Sequence, residues 1–191
     1  KAGNRLVIIG YDGDKRYKNV TSYIPGEIIK EVNGKSMSLL EFFVHSPFKD
    51  SLVEGRAEAD KNATSIVMQA RFKYTSTATQ PSALYLFGGD ADHYIWKEIQ
   101  EQCTAHDNDD KLNFDIFMAP HHCSWTYFNN VPYMNGETDK PVESSKTMIK
   151  DHKTNGAVII ASSKQIKKDK DNPPHHQSKE EYVKLIGADK F

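Results

Sequence analysis

Two apolar runs in this chain each break off into a tight polar turn. Leu84-Tyr85-Leu86-Phe87 ends in Gly88-Gly89-Asp90-Ala91, and Phe114-Asp115-Ile116-Phe117-Met118-Ala119-Pro120 ends in His121-His122-Cys123-Ser124. Between them Ile95, Ile99 and Cys103 recur at four-residue spacing with Trp96 alongside, the apolar stripe of an amphipathic helix. Strand, turn, helix and strand in that order restrict the chain to a layered α/β architecture, because both the sheet face and the helix stripe have to be covered by one another. The alternation continues. Residues 143–152 read as a short helix and 157–162 as a buried strand. Ser178-Lys179-Glu180-Glu181 then has the spacing of a capping box ahead of a last helix carrying Tyr182, Leu185 and Ile186.

Upstream the pattern is more strand-like. Residues 5–9 read as a first strand stopped by Gly10. Residues 27–45 read as two strand-like runs around Asn33-Gly34, a dipeptide suited to a type I′ hairpin turn, with Ser46-Pro47 ending the second. Residues 65–72 and 83–87 read as neighbouring strands joined by a polar turn, and 48–61 as a charged surface loop or short helix. Residues 125–140, rich in aromatics, asparagine and proline, read as a long loop. At 191 residues with a net charge of −1 the chain fits one soluble domain, and nothing in the balance marks a strongly polyanionic partner. No stretch approaches the ~18 apolar residues of a membrane helix, and two cysteines are too few for a disulfide scaffold, so a reducing, cytoplasmic address is expected.

The chemistry-bearing residues cluster at the two turns. Glycines let the backbone before Asp90 turn sharply and approach an ion, and a carboxylate has two oxygens with which to bridge cations. The plainer reading of Gly-Gly-Asp is a turn plus a helix N-cap. Adjacent histidines at a strand end seldom serve packing alone, and neutral imidazole is the commonest nitrogen ligand for zinc. Because successive side chains there diverge, one of His121 and His122 is expected to be a ligand and the other to have a supporting or substrate role. Elsewhere His93 reads as an exposed helix residue and Cys103 as core. The basic stretch 164–168, interrupted by acids, reads as a plain loop, and Asp107-Asn108-Asp109-Asp110 as a solvated turn rather than a calcium loop. His175 and His176 either orient a substrate or decorate a polar loop, and Trp125, Tyr127 and Phe128 either form a lid or pack.

Taken in order, Asn62-Ala63-Thr64-Ser65-Ile66-Val67, Leu86-Phe87-Gly88-Gly89-Asp90-Ala91, Ala119-Pro120-His121-His122-Cys123-Ser124, the run 157–163 and Asn172-Pro173-Pro174-His175 resemble the C-terminal half of the metallo-β-lactamase superfamily. Within it the likeness is to the branch that includes the soluble domains of competence-type DNA-uptake proteins. The resemblance implies an α/β fold that is half of an αββα metallo-β-lactamase-like sandwich, a mixed sheet with helices packed on one side. Residues 1–191 would be the C-terminal portion of that domain, its N-terminal metal-binding half missing. Asp90 would be a bridging metal ligand, His121 or His122 a terminal ligand, and Asn172 and His175 would line the substrate pocket. Two Zn2+ ions, or Mn2+, would activate water for hydrolysis of a phosphate ester or phosphodiester, a nucleic acid included.

The chain departs from that family in two ways. It lacks the upstream His-x-His-x-Asp-His cluster and a further histidine between the halves, and Cys123 stands where the branch has glycine. The missing half, or a second chain covering the sheet, is therefore the implied partner. The chain alone is expected to bind metal weakly and catalyse nothing. The competing reading is a non-catalytic module that keeps the fold to bind a partner or nucleic acid. The hydrolase reading expects Asp90 and one histidine to converge beside a sheet with one bare apolar face.

Overall fold

The computed structural model describes residues 6–10, 18–50, 61–129, 140–169 and 173–191. Its centre is a six-stranded mixed sheet of order β10-β9-β8-β7-β6-β3. These strands are β3 (Ile28–Ile29), β6 (Leu40–Ser46), β7 (Val67–Phe72), β8 (Ala83–Phe87), β9 (Phe114–Met118) and β10 (Lys153–Ile160). Strands β8, β9 and β10 run parallel, and β3, β6, β7 and β8 pair antiparallel. The parallel pairs need crossovers, which α1 (His93–Ala105) and α2 (Glu143–His152) provide, whereas β7 and β8 need only a turn. The last helix is α3 (His176–Ile186). The α/β class expected from the alternation is thus present.

Strand parity explains the layering. Phe43, Gln69, Leu86, Phe117 and Ile159 are register partners across the sheet, and all five are buried. Leu86, Phe117 and Ile159 join a single core cluster with Ile95, Trp96, Ile99 and Cys103 of α1, Met148 and Ile149 of α2, and Tyr182 of α3. All three helices therefore bury their apolar sides on one face. The next register row, Val44–Met68–Phe87–Met118–Ile160, points the other way. There Met68, Phe87 and Met118 are half-buried, and at the margins Phe72 and Ile160 are 43% and 42% exposed.

Several local readings change. Asn33 and Gly34 both take positive φ, as a type I′ turn requires, but they join only β4 (Glu31–Val32) to β5 (Lys35–Ser36). The side chains of that ribbon are exposed and it forms its own two-stranded sheet, while β6 pairs instead with β3 and β7. The first strand, β1 (Val7–Ile9), pairs in parallel with β2 (Thr21–Tyr23), outside the main sheet. The capping-box reading fails: α3 has His175 as its N-cap residue, and Ser178 lies inside the helix, where its hydroxyl donates to the Ser124 carbonyl at 3.1 Å. Most of the charged stretch 48–61 and most of the loop 125–140 lie outside the described residues, but Trp125–Tyr127 forms a 3-10 turn and Trp125, Tyr127 and Phe128 are packed in the core. Among the described residues no helix is long and apolar enough to cross a membrane.

Candidate metal centre at the strand ends

Both glycines of the β8 turn are required by close backbone approach. A Cβ at Gly88 would meet the Met118 carbonyl oxygen at 2.6 Å, and one at Gly89, whose φ is +54°, would meet the Ile66 carbonyl oxygen at 2.6 Å. The turn is thereby pressed between the ends of β7 and β9. The helix cap that follows is Asp92, whose carboxylate accepts from the Tyr94 and Ile95 amides at 3.0 and 3.1 Å. Asp90 is exposed and makes no hydrogen bond or ion pair among the described residues. The capping role that competes for a Gly-Gly-Asp aspartate thus belongs to its neighbour two positions on.

After β9 the chain makes a turn of left-handed backbone. His121, His122 and Cys123 have φ of 47°, 57° and 68°. Left-handed geometry costs a side-chain-bearing residue about 1–2 kcal/mol, so three in succession persist only where the surroundings impose them. Those surroundings are well defined. The His121 amide donates to the Gly89 carbonyl at 2.8 Å, which fastens this turn to the aspartate turn. His122 Nδ1–H donates to the Ser162 carbonyl at 2.7 Å, past the end of β10. From the start of α3, the His175 amide donates to the Cys123 carbonyl at 3.1 Å, while His175 Nδ1 accepts from the Trp125 amide at 2.8 Å.

These bonds set the tautomers. A carbonyl only accepts, so a neutral His122 carries its proton on Nδ1 and presents Nε2 as an exposed lone pair, the arrangement common for metal-binding imidazoles. His121 is half-buried, and its Nδ1 is buried without a hydrogen-bond partner among the described residues. The two rings are 6.2 Å apart between centroids and inclined by 61°, the divergence expected of neighbours at a strand end. His175 spends its Nδ1 lone pair on Trp125, and its proton affinity is lowered, first by burial and then by the nearby His121 charge. It buttresses the turn. Asn172, the other residue expected to line the pocket, lies outside the described residues.

Two imidazoles and a carboxylate match zinc or manganese in kind. They do not match in number, since among the described residues no three His, Cys, Asp or Glu side chains are grouped to hold an ion. His93, expected on the surface, is instead buried at the start of α1 with its Nε2 unpartnered among the described residues. Sequence reasoning had no signal for the buttressing by Ser162 and Ser178, because backbone carbonyl contacts leave no residue pattern. The chain matches no family model, no curated protein and no solved structure.

Proposed function

We propose that this chain is the C-terminal half of a metal-dependent hydrolase resembling the metallo-β-lactamase superfamily, with the other half of the sandwich on a preceding segment or a second chain. The observation that carries the reading is the left-handed turn at His121, His122 and Cys123, fastened to the Gly89-Asp90 turn by the His121 amide. Backbone strain maintained by three separate hydrogen-bonding partners, the Gly89 and Ser162 carbonyls and the His175 amide, is characteristic of functional turns rather than of connecting loops. The partial exposure of Met68, Phe72, Phe87, Met118 and Ile160 on the sheet face away from the helices adds support, since such a face fits a second layer.

In this reading Asp90 and His122 or His121 hold part of a dinuclear Zn2+ or Mn2+ site. Cations held there would lower the pKa of a bound water, so that hydroxide would be available as the nucleophile at neutral pH. Asp90 offers an unencumbered carboxylate, His122 an outward Nε2, and His175 keeps the turn in shape rather than touching the ion through Nδ1. The substrate class, a phosphate ester or phosphodiester, comes from the resemblance, since fold alone does not set substrate.

The test is the zinc and manganese content of the full-length gene product, with Asp90→Ala and Asp92→Ala alongside. The expected result is stoichiometric metal that falls in Asp90→Ala and is retained in Asp92→Ala. An intact protein devoid of metal would sink the proposal. It would favour the second reading, a non-catalytic module binding a partner or nucleic acid.

A further inference from the structure

Away from the histidine turn a cavity of about 650 Å3 opens beside β6 and the C-terminal half of α1. Its walls include Ile24, Phe43, Phe48 and Ile99, and His45 and Cys103 lie deep in it. A volume of this size accommodates a molecule of two or three fused rings. The chemistry of its depth is defined by one imidazole. His45 Nε2 is 3.1 Å from the Lys111 carbonyl oxygen, which only accepts, so the proton is on Nε2 and Nδ1 is a lone pair. That lone pair is met by the Cys103 thiol at 3.6 Å, and a thiol is a weak donor. Phe43 packs edge-on against the His45 ring at 4.9 Å and holds its plane.

The two polar groups at the base are uncharged at neutral pH. Burial pulls His45 down to about 4 and pushes the Cys103 thiol up to about 12. Nearer the rim the polar groups are already engaged: Glu27 accepts from the Ile24 amide at 2.9 Å, and His106 Nδ1 donates to the Gln102 carbonyl at 2.9 Å. Among the described lining residues Glu27 and Gln102 are exposed and Asn108 is half-buried, so the buried side-chain acceptor that a stronger donor could claim is His45 Nδ1.

We infer that this cavity is a binding site for an uncharged, aromatic small molecule carrying one hydroxyl or N–H donor, which takes His45 Nδ1 from the Cys103 thiol. The site is independent of the hydrolase reading. The charged lining side chains, Glu27 and Lys49, are exposed, so a ligand charge carried to the buried His45 and Cys103 would leave water without a counter-charge there, and a donor-free hydrocarbon would leave the imidazole with only its thiol.

The test is titration of the full chain at pH 7 with 2-naphthol and with 2-methoxynaphthalene, which has a similar body but no donor. Saturable one-to-one binding is expected for both, with 2-naphthol about tenfold tighter, the ratio for one buried hydrogen bond. His45→Phe keeps the aromatic wall and should equalise the two ligands. Cys103→Ala removes the competing thiol and should widen the naphthol advantage severalfold, which keeps the idea testable if His45→Phe does not fold. The inference is overturned if neither ligand saturates, if both bind the unaltered chain equally, if the advantage survives in His45→Phe, or if Cys103→Ala leaves it unchanged.

Discussion

Asp90 and Asp92 lie two residues apart and face opposite demands. Asp92 caps α1 through two backbone amides, so Asp92→Ala is expected to cost about 1 kcal/mol in urea-induced unfolding. Asp90 is exposed and unpartnered among the described residues, so Asp90→Ala should leave stability within about 0.5 kcal/mol of the parent. An equal loss in both would mean that Asp90 is part of the cap. Gly89→Ala is a harsher change: it combines positive φ with a 2.6 Å approach to a carbonyl of the neighbouring strand's approach segment, and should cost about 2 kcal/mol or more by the same measurement. His45 sets a pH dependence. Its folded value of about 4 lies below the ordinary 6.5, so the unfolded chain binds the extra proton between those limits. The stability due to neutral His45 is complete above about pH 6.5 and lost as pH falls towards 4, a total of about 3 kcal/mol. Unfolding curves at pH 7, 5 and 4 should therefore converge between parent and His45→Phe as the pH falls, with the variant showing the shallower loss.

Among the elements, α3 matters most to the candidate site, because its first residues hold the left-handed turn through His175 and Ser178. Amide hydrogen exchange at Trp125 reads this directly. His175→Ala removes the acceptor and should speed exchange at least tenfold, while His175→Asn, which can place an oxygen near the Nδ1 position, should restore most of the protection; no change in the alanine variant would refute the clamp. The same elements show what the sequence makes legible. The α1 stripe at Ile95, Ile99 and Cys103 and the runs of β8 and β9 are periodic, and periodicity reports which face is buried. The β4–β5 ribbon was legible as a turn at Asn33-Gly34 but not as a peeled-off piece, since a turn signal does not say what its arms pair with. The Ser178 spacing misled for a related reason: a hydroxyl three residues before a glutamate is equally consistent with a helix interior whose hydroxyl bonds another segment. His121 and His122 were legible as a pair of candidates, but choosing a tautomer required the Ser162 carbonyl, forty residues away in sequence.

At the scale of the whole molecule the two faces of the sheet are unequal, and that inequality governs how the chain meets other surfaces. On the helix side Ile159 is 1% exposed, whereas its neighbour Ile160, on the opposite face, is 42% exposed and Phe72 at the end of β7 is 43% exposed. A lysine at Ile159 would have to enter the core cluster and should cost more than about 3 kcal/mol. The pair Phe72→Lys with Ile160→Lys meets no such packing and should cost under about 1 kcal/mol. On that face Phe42, Met68, Tyr85, Phe87, Ile116, Met118 and Val158 are half-buried and Ile160 exposed, around the fully buried Val44 and Ala70, and a partly open apolar face of this kind can take a second layer. Sedimentation velocity over a rising concentration series should then show weak association of the parent chain and none in the double lysine variant. If instead the double variant is as destabilised as Ile159→Lys, that face is already covered within the folded chain, and the half-sandwich reading loses the support it draws from the sheet.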